Sequence, residues 1–312
     1  MLENSYTRAK TILFFVSRLS ILVFMALLPW FVFLITGVYI CSFIKGYNFM
    51  STFSWLNTFK EDISALNGMK FLQAFTTVGA MIIPAWFFPQ VIGQDSGSFT
   101  QTKTLFNWIH LVFAIAIIVV CIPFVSWIIE WNNHLQLPGD LGEALKASQK
   151  ATEELTRAFV ASSTTGELLL NILVIALIPA IAEEMLFRGA FQQFIFYCFK
   201  NKHSAIISAA IIFSAFHLDF YGFFPRFALG VILGYLFAYS GSLWPSVLAH
   251  FINNLLTLLA LHFHWNESGL EFFADEYHFP VYMVVLSLVL IIGLVYLMYT
   301  RRNKNISFYY GE

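Results

Sequence analysis

Two adjacent carboxylates and an arginine interrupt the apolar stretch of residues 168–188, which reads LLLNILVIALIPAIAEEMLFR. Each charge at the centre of a membrane helix costs about 2.5–3.5 kcal/mol on insertion scales. Three charges in one span therefore indicate a functional site. Glu184 and Arg188 are four residues apart and share a helix face, whereas Glu183 is rotated by about 100° from Glu184. The spacing therefore predicts that Arg188 neutralises Glu184 and leaves Glu183 available.

The composition is typical of a membrane protein. Of the 312 residues, 59% are hydrophobic and 11% are charged, with a mean hydropathy of +0.73; charged residues make up about 25% of a globular domain. The net charge of -1 provides no basic surface for nucleic acid, so nucleic-acid binding is excluded. We therefore expect an all-α polytopic protein, surrounded by membrane lipid, in the plasma or inner membrane.

Apolar runs long enough to cross a bilayer recur along the chain. Residues 139–159 instead mix charged residues with apolar ones at helical intervals, which predicts a short amphipathic surface helix. No repeat or linker divides the sequence, so we expect residues 1–312 to form a single membrane domain. About eight transmembrane helices are predicted, at residues 19–43, 68–92, 106–128, 166–190, 204–219, 223–240, 243–264 and 280–299.

The basic residues near the ends of these runs predict the orientation of the chain. With eight spans they fall on one side of the membrane, which the positive-inside rule assigns to the cytoplasm. Both termini are then cytoplasmic, and the segment 129–165 lies on the opposite side. The residues concerned are Arg8, Lys10, Lys200, Lys202, Arg301, Arg302 and Lys304.

Two further apolar runs carry polar residues at a spacing of four. Phe213 and His217 share one helix face, and His250 and Asn254 share another. A carboxylate base, an imidazole that holds a proton and donors for an oxyanion are the groups that peptide hydrolysis by water needs. Glu183, His217 and His250 could instead bind zinc, which lowers the pKa of a bound water. The spacing alone does not choose between these two arrangements.

Structural roles compete with these interpretations. A single histidine in a membrane helix often makes only an interhelical hydrogen bond. Glu184 and Arg188 are expected to support the site, because a close ion pair neutralises itself. Gly230 and Gly234 have the spacing that lets two membrane helices approach closely, which indicates packing.

Taken together, these motifs resemble the CPBP family, which comprises the CAAX-type prenyl endopeptidases and the bacteriocin-processing or immunity proteins and is also called the Abi family. The resemblance covers residues 166–264, about a third of the chain, and implies that this segment is the catalytic core. The other residues match only in being hydrophobic. The resemblance rests on three motifs that occur in order on successive runs: Glu183-Glu184 with Arg188, Phe213 with His217, and His250 with Asn254.

The resemblance also implies a role for each residue. Glu183 would activate the hydrolytic water with His217, while His250 and Asn254 would stabilise the oxyanion. The family is commonly labelled metalloprotease, yet a glutamate-dependent mechanism without metal is attributed to its prenyl-processing members. We assume no metal, because asparagine is a poor zinc ligand but a good oxyanion donor. A zinc-dependent version would use Glu183, His217 and His250.

Three classes of function remain open. The favoured one is an intramembrane endopeptidase that cleaves a membrane-associated protein or peptide. A non-catalytic immunity or scaffold protein would have no chemical need for Glu183 beside the neutralised pair. A proton-coupled transporter would use Glu183 and His217 as a relay, but such proteins place broken helices in both halves, whereas the polar clusters here lie in the second half.

Overall fold

The computed structural model describes residues 2–104, 107–135, 138–161, 164–263 and 278–301. Within these ranges every regular element is a helix, which confirms the all-α prediction. In chain order the helices are α1 (Leu2–Lys45), α2 (Phe49–Leu56), α3 (Ile63–Val91), α4 (Ser96–Phe99), α5 (Trp108–Asn133), α6 (Gly139–Val160), α7 (Thr165–Phe199), α8 (Lys202–Phe216), α9 (Phe223–Ser240), α10 (Trp244–His262) and α11 (Val281–Thr300).

Seven of the described helices are long and apolar enough to cross a membrane, so the chain is an integral multi-pass membrane protein. The remaining predicted span forms α8, which has 15 residues. At 1.5 Å per residue it is about 22 Å long, less than the roughly 30 Å of a bilayer core.

The cytoplasmic placement of both termini depends on an even number of crossings and stays a prediction, as does the single domain over residues 1–312. The spanning helices are α1, α3, α5, α7, α9, α10 and α11.

The helix predicted over 139–159 is α6, which separates the third and fourth spans. Its charged side chains are mostly exposed, whereas Phe159 and Val160 at its end are buried. Lys60, in the turn before α3, forms an ion pair of 2.8 Å with Glu154 of α6. This arrangement confirms the amphipathic helix.

Helix α7 has a capped N-terminus and an interior interrupted by π-helical turns. Thr164 and Glu167 form a reciprocal capping box at its N-terminus, which satisfies backbone N–H groups that have no partner within the helix. Two π-helical segments, Ile172–Leu177 and Met185–Gln192, lie on either side of Ile178–Glu184. Such wide turns are often found at functional sites. Both adjacent carboxylates therefore lie on a short α-helical stretch between two widened segments.

Close packing of α8 against α9 depends on the two glycines of α9. A Cβ atom on Gly230 would lie 3.0 Å from the Cβ of Ala210, and one on Gly234 would lie 2.8 Å from Cγ2 of Ile206. The packing role predicted for this pair is confirmed. The close approach also brings the α9 carbonyls to α7, where Gln192 Nε2 donates to the Gly234 oxygen at 3.2 Å.

We expect Gly234→Val to destabilise the fold by about 1–3 kcal/mol, because the added atoms overpack a closed helix interface. Gly293→Val is the matched control, since a Cβ built on Gly293 of α11 would meet no described atom within 4 Å apart from its chain neighbours and its own helix backbone. Thermal unfolding of both variants in one detergent gives the comparison. A midpoint for Gly234→Val equal to that of Gly293→Val would contradict the packing role of the α9 glycines.

Candidate active site

The predicted site residues come together where three helices meet. Helix α7 carries Glu183 and Glu184, α10 carries His250, and His217 follows the last residue of α8 as its C-cap. Helix α10 packs against α7 before and through the two glutamates, and α8 packs against the π-helical segment after them. Groups separated by as many as 67 residues are thereby placed around one carboxylate, Glu183.

The predicted ion pair between Glu184 and Arg188 is present. Arg188 Nη1 lies 2.7 Å from Glu184 Oε1, and their side chains are 1% and 0% exposed. The guanidinium also donates from Nη2 to the Gly230 carbonyl at 3.4 Å and lies 4.5 Å above the ring of Phe213. Arg188 therefore connects α7, α8 and α9 in the interior.

Glu184 has a second partner that sequence spacing could not reveal. His250 Nδ1 lies 2.9 Å from the same Oε1 atom of Glu184 and donates a hydrogen bond to it. In the neutral imidazole, a proton on Nδ1 leaves Nε2 as an acceptor. The buried carboxylate therefore orients His250, in addition to neutralising Arg188.

Glu183 faces both imidazoles at distances longer than a direct hydrogen bond. Its Oε2 atom lies 3.8 Å from Nε2 of His250 and 4.0 Å from Nε2 of His217. His217 is held by its other nitrogen, because Nδ1 lies 2.9 Å from the Phe213 carbonyl oxygen and donates to it. The spacing of four between Phe213 and His217 thus has a direct structural purpose.

Phe213 contacts one residue from each of the three motifs: His217, His250 and Arg188. Its ring lies 5.2 Å from the imidazole of His217 and 5.9 Å from that of His250, in both cases edge to face. The Arg188 guanidinium lies over the same ring. The sequence motif identified Phe213 only by its spacing from His217, and its contacts with the other two motifs appear only in the fold.

The site opens toward one side. Glu184 and Arg188 are fully buried, whereas the Glu183 side chain is 12% exposed and that of His217 is 29% exposed. A pocket of about 230 Å³ lies beside the two imidazoles; its wall includes His217, His250 and Asn254 but not Glu183. Asn254 Oδ1 accepts a hydrogen bond of 3.4 Å from Asn253 Nδ2, and both amides line the pocket.

The zinc alternative can be tested on distances. Ligand atoms of a tetrahedral zinc with bonds of 2.0–2.2 Å lie about 3.3–3.5 Å apart, so Glu183 and the two imidazoles would have to approach by a few tenths of an ångström. Both imidazoles do donate from Nδ1 to an oxygen, which is the arrangement that metal-bound histidines have. Among the described residues, no group of three or more His, Cys, Asp or Glu side chains has a metal-binding arrangement.

Sequence reasoning missed Arg226 and Asp219. Arg226 lines the same pocket as His217, and its Nη2 donates to Asp219 Oδ2 at 2.8 Å. Helix α9 contains no other Asp, Glu, Lys or Arg. A lone charge in an apolar span is the signal that could have identified Arg226.

Residues 165–256 match the protein family described as Type II CAAX prenyl endopeptidase Rce1-like. The match overlaps the core predicted over 166–264 and contains all three motifs. Neither a characterised protein nor a solved structure matches the chain. Residues 165–256 are therefore similar to the Rce1-like type II CAAX prenyl endopeptidases, and this similarity supports the resemblance to the CPBP proteases.

Proposed function

We propose that this protein is an intramembrane endopeptidase in which Glu183 activates water to hydrolyse a peptide bond of a membrane-associated protein or peptide. The observation that carries the proposal is the spacing between the Glu183 carboxylate and the two Nε2 atoms, 3.8 and 4.0 Å. Two hydrogen bonds of about 2.8 Å that meet near a right angle at one water span about 4 Å. The spacing therefore suits a water that donates to Glu183 and contacts an imidazole.

The first step transfers a proton from this water to Glu183 while the water oxygen adds to the peptide carbonyl carbon. The negative charge moves to the carbonyl oxygen, which needs preorganised donors. Asn254 supplies an amide N–H, and His250 supplies Nε2–H when it carries its second proton. The buried Glu184 carboxylate stabilises that imidazolium through the 2.9 Å hydrogen bond to Nδ1.

The second step breaks the C–N bond. The leaving nitrogen needs a proton, and the one that Glu183 took from water is available to it, directly or through Nε2 of His217. The products are a new carboxyl terminus and a new amino terminus, so atoms and charge balance without a covalent enzyme intermediate. The His217 side chain is more exposed than those of Glu183 and His250, which suits a role in transferring this proton to the leaving peptide.

A matched pair of histidine variants on α8 tests the proposal. We expect His217→Ala to lose cleavage of a farnesylated peptide ending in cysteine and three further residues, because it removes the proton carrier. His203→Ala is the control, since His203 lies at the other end of α8 and its Nδ1 bonds the hydroxyl of Tyr235. Both proteins are assayed in nanodiscs, with mass spectrometry of the released peptide. Equal cleavage by the two variants would contradict the proposal.

We expect the cleavage rate to survive exhaustive treatment with a strong chelator, because Glu183 can take the proton without a Lewis acid. Metal analysis of the purified protein should give well below one zinc per chain. Stoichiometric zinc, together with a loss of activity that added zinc reverses, would replace the metal-free step with one in which Glu183, His217 and His250 hold the ion. That result would leave the peptidase assignment standing.

A further inference from the structure

The pocket beside the site carries one permanent charge, and the proposed hydrolysis does not use it. The described residues that line this pocket are apolar side chains, threonines, asparagines, two histidines and Arg226. Arg226 lies in the first turn of α9 and shares the pocket wall with His217 and Asn254. A cation at this place needs a purpose, because burying a charge in an apolar span is costly.

The guanidinium is held in place but its hydrogen bonds are not all satisfied. Its Nη2 donates to Asp219 Oδ2 at 2.8 Å, while Oδ1 of Asp219 accepts from the backbone N–H of Tyr221 at 3.1 Å. Nη1 is buried and has no hydrogen-bond partner in the part of the chain that the structure describes. A guanidinium has five N–H donors, and the bond to Asp219 uses one of them.

Gly222 makes room for this arrangement. A Cβ atom on Gly222 would lie 2.1 Å from Nη1 of Arg226 and 2.5 Å from Oδ2 of Asp219. Any side chain at this position would therefore push the guanidinium away from its present place. The backbone angles of Gly222 are ones that other residues adopt, so the requirement for glycine here is steric.

The chemistry of the wall indicates what the pocket would accept. A carboxylate without a cation is very unfavourable in a low-dielectric site, and arginine matches a carboxylate with paired N–H donors. The leucine, isoleucine and valine side chains of the wall suit aliphatic groups. About 30% of the Arg226 side chain is exposed, so a ligand can reach it.

We propose that Arg226 binds a carboxylate of the peptide substrate and thereby sets which peptides the site accepts. The inference rests on the proposed function for its substrate class, and it assigns Arg226 to substrate binding rather than to the hydrolytic step. The carboxylate has two sources, the free C-terminus of the peptide or the side chain of an acidic residue near it. Asp219 and Gly222 act as positioning residues that fix the guanidinium.

Binding to a protein that cannot cleave tests the inference separately from the reaction. The probes are three farnesylated peptides of one sequence: one with a free C-terminal carboxylate, one with a C-terminal carboxamide, and one carboxamide with glutamate as its last residue. Their dissociation constants are measured on Glu183→Gln protein in nanodiscs. We expect at least one carboxylate peptide to bind about 10-fold or more tightly than the plain carboxamide. The tighter of the two identifies the source.

Variants at Arg226 assign the preference to this side chain. With Arg226→Gln the preference should disappear, while affinity for the carboxamide stays the same. Arg226→Lys should keep part of the preference for carboxylate peptides, because lysine keeps the charge without the paired donors. Gly222→Ala should reduce it while Arg226 remains present, which covers the case that Arg226→Gln does not fold. Lys103→Gln, which removes an exposed lysine paired with Asp95, should leave it unchanged.

The results that overturn the inference are distinct from those that overturn the proposed function. Equal binding of all three peptides, no binding of either carboxylate peptide, or a preference that persists in Arg226→Gln would contradict the carboxylate subsite. Equal binding would mean that Arg226 meets a neutral group such as a peptide carbonyl. A preference that depends on Arg226, in a protein that cleaves no peptide with Glu183 intact, would keep the subsite and reject the peptidase.

Discussion

Glu183→Gln is expected to lower kcat/KM for peptide cleavage by about 10²–10⁴-fold, the range that a general base contributes. Glutamine keeps the shape of the side chain and one accepting oxygen, but its second polar atom is an NH₂ donor and it cannot take a proton from water. Glu183 makes no ion pair shorter than 3.8 Å with either imidazole, so the fold should tolerate the change. The measurement is the initial rate of peptide release by purified protein in nanodiscs, with the thermal midpoint of each preparation recorded beside it.

Glu183→Asp provides the second half of this test. Aspartate keeps the carboxylate, but its side chain is shorter by about one bond length, so the base lies farther from the water. A misplacement of about 1 Å can lower the rate roughly 10²-fold. We therefore expect the aspartate variant to retain more activity than the glutamine variant, which has no base at this position. A glutamine variant as active as the aspartate variant would show that the proton goes elsewhere, and Glu183 would lose its proposed role.

Arg188→Ala should damage the fold more than any substitution at Glu183. The change leaves the Glu184 carboxylate, whose side chain is 0% exposed, without its ion-pair partner. Breaking a buried pair in this way typically costs about 3–5 kcal/mol. It also removes the contacts of Arg188 with the Gly230 carbonyl and the Phe213 ring. We expect poor expression and a much lower thermal midpoint than for Glu183→Gln.

A double variant separates the charge effect from the loss of packing. Glu184→Gln with Arg188→Met removes both charges and keeps similar volumes, so stability should recover well above that of Arg188→Ala. Catalysis should stay impaired, because His250 Nδ1 then faces a neutral amide in place of the anion that stabilises the imidazolium. If Arg188→Ala and the double variant have equal thermal midpoints, the unpaired Glu184 charge is not the main cause of the lost stability.

The features that could be predicted from sequence are those that depend on local spacing. Glu184 and Arg188 are four residues apart in the sequence, a spacing that predicts a contact on a helix, and the structure places them together. The apolar runs predicted the seven long helices, because the length and hydropathy of a run are properties of consecutive residues. The charged and apolar positions of 139–159 predicted α6 for the same reason.

The features that could not be predicted depend on how helices pack. The bond between His250 and Glu184 joins residues 66 positions apart, and no spacing rule connects them. Helix α8 ends at Phe216, and its C-cap residue His217 donates a side-chain hydrogen bond back to the Phe213 carbonyl oxygen. The π-helical segments of α7 leave no mark in the apolar pattern. The position of α6 beside the pocket, through Thr156 and Val160, also follows only from tertiary packing.

Under the proposed function, this membrane protein cleaves peptide bonds by means of Glu183. The most direct measurement is the identification of new peptide termini in membranes from cells that produce equal amounts of wild-type protein or Glu183→Gln, because it works without a chosen substrate. We expect a set of membrane-associated peptides with termini that occur only with the wild-type protein. Identical termini in the two samples, at equal protein levels, would contradict it.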